Sequence, residues 1–281
     1  MENKQQTGKN ANIRELTEQA RQIRRDILKM IYTIQSGHPG GSLSIVEILL
    51  VLYKHQLRID PSRPSWPERD RFVLSKGHCA PALYAVLAEM GYFAKSTLFD
   101  GFRRIDSLLQ GHPDMKKTPG IDMTTGSLGI GLSAGTGMAL GARIHGWDSK
   151  TYVMLGDGEL NEGQVWEAAK TAAHHKLDSL VALLDINGYQ NDGPTTAEMS
   201  MEPLSGKWRS FGWNVLEADG HDLQQILDAF ASVPFGSGRP TVIIFQTVKC
   251  KGVSYMEADK VKYHGASPNQ AQLEQAYAEL A

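Results

Sequence analysis

The stretch from Thr151 to Gly193 constrains the fold more than any other part of this 281-residue chain. Thr151 to Leu155 is a short apolar run with the length and β-branched content of a buried strand. Gly156-Asp157-Gly158 then makes a turn, and Glu159 and Glu162 fall where a helix would begin, acids at the positive end of its dipole. That helix is predicted to run to about His175. A second apolar run, Ser179 to Leu184, returns as a parallel strand and ends in Asp185-Ile186-Asn187-Gly188. The result is a βαβ unit with Asp157 at the tip of one strand and Asn187 at the tip of the next. Parallel strands put both tips at the carboxyl edge of the sheet, where open α/β proteins bind ligands. A carboxylate and an amide oxygen there suit Mg²⁺ or Ca²⁺. The backbone N–H groups of Gly156 and Gly158, beside a helix N-terminus, suit a phosphate. Either dipeptide alone, Asp-Gly or Asn-Gly, is an ordinary turn; the two at βαβ spacing read as a clamp for a metal and a diphosphate.

The remaining elements extend this pattern. Ile13 to Gln35 carries Ile23, Ile27, Met30, Ile31 and Ile34 at helical spacing and stops at the turn-forming run Ser36 to Gly41. Ser44 is expected to cap a second helix, Ile45 to about Gln56, with Glu47 completing a capping box. Pro61, Pro64 and Pro67 mark a surface loop, Arg71 to Ser75 a short strand, and Pro81 the start of a helix through Met90, closed by Gly91. A further helix is predicted over Thr97 to Arg103, and Met115 to Thr125 is predicted as loop with one short extended piece.

Gly126 to Gly135 superficially matches a dinucleotide-binding fingerprint. Its third glycine is one place late, no clear strand precedes it, and no acidic residue follows at about 20 positions, so that reading fails. Leu132 to Ile144 reads instead as a buried helix rich in small residues. Gly135, Gly137 and Gly141 each cost about 1 kcal/mol relative to alanine there. They need a close contact in return, either within the chain or across a subunit interface. Trp213 to Glu217 and Pro240 to Val248 are two more strands, with Asp222 capping the helix between them to about Val233. Lys249 to Ser267 is loop-like, and Asn269 to Leu280 is a surface helix. Helices followed by repeated β–α–β predict a doubly wound, mostly parallel α/β sheet with helices on both faces, in a single domain over residues 1–281.

Composition removes whole classes of function. A net charge of −2 leaves no electrostatic footprint for nucleic acid or an anionic membrane. No run approaches the roughly 20 apolar residues of a membrane span. Met1 to Asn12 is polar, without the apolar core of a signal peptide. Cys79 and Cys250, the two cysteines, have no metal-binding or redox spacing. The expectation is a cytoplasmic protein with no nucleic-acid or membrane partner.

His38, His78 and His112 each follow a glycine in a predicted loop, and His264 precedes one. Loop histidines are free to face a ligand, although any one of them alone is as well explained as a surface or capping residue. His221, in Asp219-Gly220-His221-Asp222, has the same look and reads as part of a helix entry. The words GDGELNEGQVWEAA and DINGYQNDGPT, with SGHPGGSLS, SKGHCAPALY, GHPD, TTGSLG and HGASP in the same order, resemble transketolase from about residue 12 to 268. The resemblance is to its N-terminal, diphosphate-binding portion.

This resemblance implies thiamine diphosphate as cofactor and Mg²⁺ as its metal, with Ca²⁺ or Mn²⁺ able to substitute. It implies metal ligation by Asp157, Asn187 and the backbone carbonyl of Tyr189. Cofactor contacts are implied for His78, Gly126, Leu128, Gly156, Asp157, Gly158, Glu159, Asn187 and His264. His78 and His112 are implied to hydrogen-bond the donor ketose near its first hydroxyl and carbonyl. His38 and His264 are implied to orient the acceptor and assist proton transfer, a role a neutral imidazole with pKa near 6.5 can fill. Ile130 departs from the family, which usually has glutamine there, and puts any polar contact at that position in doubt.

A full transketolase continues into a pyrimidine-binding domain, which supplies the glutamate that activates the cofactor, and a C-terminal domain. The chain ends just after HGASP, so the resemblance implies the N-terminal, diphosphate-binding subunit of a split enzyme, with both missing domains on a partner chain and a two-plus-two heterotetramer. The implied reaction is transfer of a two-carbon ketol unit from an anionic ketose to an aldose. Two other readings stand beside it. One is a subunit of another thiamine-diphosphate enzyme, deoxyxylulose-phosphate-synthase-like or 2-oxo-acid-dehydrogenase-α-like; the other is a non-catalytic cofactor-binding half.

Overall fold

The computed structural model describes residues 12–281; the polar segment Met1 to Ala11, read above as no signal peptide, lies outside the described residues. In chain order the helices are α1 (Ile13–Ile34), α2 (Pro39–Leu43), α3 (Val46–Val51), α4 (Ala80–Glu89), α5 (Thr97–Gly101), α6 (Ile130–Ile144), α7 (Gly163–His174), α8 (Thr195–Glu198), α9 (Leu204–Ser210), α10 (Leu223–Ala231), α11 (Ser254–Ala258) and α12 (Gln270–Glu279). The strands are β1 (Arg71–Leu74), β2 (Thr151–Gly156), β3 (Leu180–Ile186), β4 (Asn214–Asp219) and β5 (Thr241–Gln246). They form one sheet in the order β1-β2-β3-β5-β4, with every neighbouring pair parallel.

Alternation along the strands explains the layers. Phe72, Leu74, Tyr152, Met154, Val181, Leu183, Ile243 and Phe245 face a core with residues of α1, α3, α4 and α10. Val73, Val153, Leu155, Ala182, Leu184, Val242 and Ile244 face a second core with residues of α6, α7 and α9. A period of two with both faces apolar is what a parallel sheet covered on both sides requires. The doubly wound expectation therefore holds, and all five predicted strands form.

Local chemistry sets the helix ends. The Asn12 side chain accepts from the Glu15 N–H at the start of α1, whose Ile23, Ile27, Met30 and Ile31 are buried. Asp222 caps α10 as predicted, and Asn269 and Gln272 form a full capping box on α12. No helix among the described residues is long and apolar enough to cross a membrane.

Four local expectations need correction. Helix α1 does stop before the run Ser36 to Gly41, but that run is more than a turn: it opens α2, with Pro39 at its first position. Ser44 caps nothing: its buried hydroxyl lies 2.9 Å from Gly41 O and 2.7 Å from Asp185 Oδ2, and its one proton goes to the carboxylate. Glu47 completes no capping box but lies in a buried ion pair with Arg24, Oε2 to Nη2 2.7 Å. The helix after Asp157 begins as a 3₁₀ turn, Gly158–Asn161, before α7.

Helix α6 divides its glycines between two explanations. A Cβ on Gly135 would lie 2.4 Å from Val153 Cγ2, a tight contact within the chain. Gly137 and Gly141 have nothing within 4 Å of that position and face outward. The helix is thus half covered rather than buried all round, and Ile144 at its end is 82% exposed.

Candidate functional site

Four loops leave the carboxyl edge of the sheet side by side and build one cavity of about 370 Å³. After β1 comes Lys76 and then His78, in a 3₁₀ turn over Gly77–Cys79. After β2 come Asp157 and Gly158; after β3, Asn187, Tyr189 and Gln190; after β5, Lys249. His38, Gly126, Leu128, Gly156, Glu159 and His264 complete the predicted residues on its wall. His112 stands just behind, its ring 6.3 Å from that of His38.

The two strand tips meet as the spacing predicted. Gly156 of β2 lies in register with Asp185 of β3. One carboxylate joins the two loops: Asp157 Oδ2 accepts the Gly188 N–H at 2.7 Å and Oδ1 the Gly158 N–H at 2.9 Å. Gly188 reaches it with φ +79°, a conformation glycine adopts without strain. A Cβ on Gly158 would lie 2.8 Å from Gln190 Cβ, so the loops approach too closely for any larger residue. The Asn187 amide donates through Nδ2 to Asp185 Oδ2 at 2.9 Å, and its Oδ1 accepts the Tyr189 N–H at 3.1 Å.

Asp157 is 8% exposed, and its pKa is raised to about 6, first by burial and then by the neighbouring Asp185 charge. A dry carboxylate held this way is poorly compensated, and a cation would reverse the penalty. Among the described residues no three His, Cys, Asp or Glu side chains gather as a metal-binding group. The oxygen donors at hand are one carboxylate, one amide and backbone carbonyls, a set that fits a hard ion such as Mg²⁺ sharing its coordination with phosphate oxygens.

The four glycine-flanked histidines converge, though they come from four separate loops. Ring centroids lie 5.3 Å apart for His38 and His78, 5.5 Å for His38 and His264, and 5.3 Å for His78 and His264. Burial lowers the pKa of every one. His38 and His264 fall to about 4, with the charge of Arg103 reinforcing the first and that of Lys249 the second. His78 falls well below its usual value, with Lys76 adding to burial, and His112 falls with Arg103 adding. The expectation of a pKa near 6.5 is therefore corrected: the rings are neutral at physiological pH. The Nδ1 atoms of His38 and His264 are buried and have no partner within the chain, while both residues line the cavity.

Two expected contacts take another form. The Gly156 N–H donates to Glu159 Oε2 at 3.0 Å, which leaves it unavailable to a phosphate. Glu159, 2% exposed, uses its other oxygen to accept from the Gly129 N–H and the Ser75 hydroxyl. It ties the Gly126–Gly129 loop to the ends of β1 and β2. Its pKa is raised by burial, against the pull of those hydrogen bonds.

The sequence reading missed the lysines. Lys76 is 2% exposed and pairs with Asp185; Lys249 is 1% exposed and donates to Gln190 O at 2.8 Å. Both occupy the few residues after a strand, and that position was the available signal. His221, read as part of a helix entry, is fixed within the chain. Its Nε2 accepts the Val248 N–H at 2.9 Å, so Nδ1 carries the proton and faces Glu47 Oε2 at 3.2 Å.

Residues 15–280 match the family model described as "Transketolase, thiamine diphosphate binding domain". The chain belongs to the transketolase family. Two relatives match along nearly their whole length. The 6-deoxy-6-sulfo-D-fructose transketolase subunit SqwG of Clostridium sp. (strain MSTE9) is 46% identical, over 95% of this chain and 96% of its own. An apulose-4-phosphate transketolase subunit of Phocaeicola vulgatus is 41% identical, over 93% and 92%. Among solved structures, transketolase from Campylobacter jejuni superposes with a TM-score of 0.89 at 31% identity, covering 96% of this chain but 43% of that one. The chain is thus similar to transketolase subunits end to end and to about two fifths of a single-chain transketolase. The family is one of ketol-transferring enzymes, and the domain matched here binds thiamine diphosphate.

Proposed function

We propose that this chain is the diphosphate-binding subunit of a two-chain, Mg²⁺-dependent transketolase. The observation that carries the proposal is the cavity itself, where three neutral histidines, with His112 just behind them, stand beside a buried carboxylate and an amide at two adjacent strand tips. Thiamine diphosphate supplies a stabilised carbanion when bound and activated. This chain's residues hold, orient and protect it. Asp157, the Asn187 Oδ1 and the Tyr189 carbonyl hold Mg²⁺, or Ca²⁺ or Mn²⁺ in its place. His264 binds the diphosphate and Lys249 adds a buried positive charge beside it; Gly158, whose N–H is given to Asp157 Oδ1, lines the diphosphate site by its lack of a side chain. Gly126 and Leu128 form the wall next to the cofactor's rings.

His78 and His112 bind the donor ketose near its first hydroxyl and carbonyl, while His38 and His264 orient the acceptor and hold or move its proton. Neutral rings suit this task, because each offers one donor and one acceptor without a charge the dry cavity would penalise.

The described residues, 12–281, form a single domain, and a second polypeptide supplies the pyrimidine-side and C-terminal domains. Two copies of each chain make the assembly, and the protein is cytoplasmic. Support for the partner comes from relatives that match end to end and are named subunits. Those names also point to a substrate with a strongly anionic group, sulfonate or phosphate. The test is ketol transfer by the purified chain, alone and with its partner subunit. Turnover is expected only for the pair. Robust turnover by the chain alone would refute the two-chain reading, and no thermal stabilisation by thiamine diphosphate with Mg²⁺ would refute the site.

A further inference from the structure

Directly beneath the clamp lies a charged pair that touches neither face of the protein. Asp185 is 0% exposed, and four side chains donate to it: Ser44, Lys76 and Asn187 to Oδ2, Thr247 to Oδ1. Lys76 also donates to Gly41 O at 3.2 Å. Stability alone does not account for such an arrangement, because a well-packed apolar pair usually holds a fold as well as a buried ion pair does. Two of these donors, Lys76 and Asn187, also line the cavity, and Asn187 is the one whose side chain ends in an oxygen as well.

An amide side chain has an oxygen end and a nitrogen end of nearly equal size, and only its hydrogen-bond partners decide which faces which way. Asp185 can only accept, so it takes Nδ2. The Tyr189 N–H can only donate, so it takes Oδ1. Both partners enforce the same orientation, but the backbone donor alone is a neutral bond, whereas the carboxylate makes the stronger charged one.

We propose that Asp185 is a positioning residue for the cation: it locks the Asn187 amide so that oxygen rather than nitrogen is offered beside Asp157, with Lys76 hydrogen-bonded to Asp185 and to Gly41 O to hold the carboxylate in place. The inference rests on the reading of Asp157 and Asn187 as cation ligands. A side chain that orients a ligand in this way commonly carries a tenfold to hundredfold effect on metal affinity.

The experiment uses the full chain with thiamine diphosphate present and reads Mn²⁺ binding directly by electron paramagnetic resonance, with no turnover needed. Lys76→Met combined with Asp185→Leu removes both charges together, so no unpaired charge is left buried. This double variant is expected to melt cooperatively and to bind Mn²⁺ at least tenfold more weakly than the parent. Adding Asn187→Asp to it presents oxygen at both ends of the side chain and is expected to restore most of the affinity. If the double variant melts cooperatively and binds Mn²⁺ like the parent, Asp185 does not orient the amide. The same conclusion follows if affinity falls and Asn187→Asp in the folded protein restores none of it. Should the double variant not fold, Asp185→Asn in the parent, judged by the same Asn187→Asp rescue, decides in the same way. A parent chain that binds no Mn²⁺ would instead refute the clamp itself, so the two failures are distinct.

Discussion

Replacing Asp157 by asparagine gives the sharpest test of the clamp, because the free and loaded protein should respond in opposite directions. The carboxyl is raised from 3.8 to about 6, first by burial and then by Asp185. At about 1.4 kcal/mol per unit, keeping it ionised costs the free protein about 3 kcal/mol at neutral pH. Because the folded value lies above the unfolded one, this cost is absent below about pH 4, grows as pH rises to about 6, and is constant above that. Asparagine abolishes it but can accept only one of the Gly158 and Gly188 N–H bonds, and the lost bond costs about 1–2 kcal/mol.

In chelator, Asp157→Asn should therefore be about 1–2 kcal/mol more stable than the parent near pH 8 and about as much less stable near pH 4. With Mg²⁺ and thiamine diphosphate at about a hundred times their dissociation constant, the parent should gain about 2.7 kcal/mol and the variant nothing. Urea denaturation of both proteins across this pH range is the assay. A parent–variant difference that stays flat with pH, or a variant still stabilised by the metal and cofactor, would refute the account of this carboxylate.

Three further outcomes are expected. His38 and His264 are held at about 4 in the fold. The unfolded chain then binds more protons between about pH 4 and 6.5, and stability should fall as pH drops through that window, by about 1–2 kcal/mol per ring after allowance for solvent screening. Asparagine at both positions should flatten the profile. Burial pushes the Glu47 carboxyl up, but the Arg24 charge and the hydrogen bonds from His221 and Arg24 outweigh it and hold it at about 2. Its contribution is complete above the ordinary carboxylate range and lost as pH falls toward 2. Glu47→Gln should cost about 3–5 kcal/mol at neutral pH by leaving Arg24 unpaired, and denaturation of Arg24→Met with Glu47→Leu should recover much of that. Gly158→Ala should weaken thiamine diphosphate binding in calorimetry by forcing the two clamp loops apart, whereas Gly163→Ala, which has open space, should not.

The strand tips were legible because their signals are local: apolar runs of strand length end in Asp-Gly and Asn-Gly, and parallel pairing fixes the rest. Ser44 and Glu47 show where locality fails. Their spacing satisfies a capping box, yet Asp185 and Arg24, at 141 and 23 positions' remove, supply stronger buried partners. Lys76 and Asp185 are 109 positions apart in the chain, and no periodicity announces such a pair. The run Ser36 to Gly41 stops α1 as read, but the helical turn α2 that begins within it was hidden for a related reason. Gly40 and Gly41 are there to admit Tyr263 O and Cys79 Sγ, which would lie 2.8 and 2.7 Å from an added Cβ, so the helical turn α2 can seat against the histidine loops.

The charges of the cavity also explain why the proposed metal and diphosphate belong in it together. Burial raises Asp157 and Glu159, so the pocket resists negative charge. It lowers the four histidines and Lys249, so the pocket resists positive charge as well. A dry site that penalises either sign favours a ligand carrying both, because a cation paired with a diphosphate brings little net charge and satisfies its own field. Asp157 and the Asn187 oxygen offer acceptors to the cation, and Lys249 offers a buried positive charge to the diphosphate, so each half of that ion pair meets groups of opposite sign.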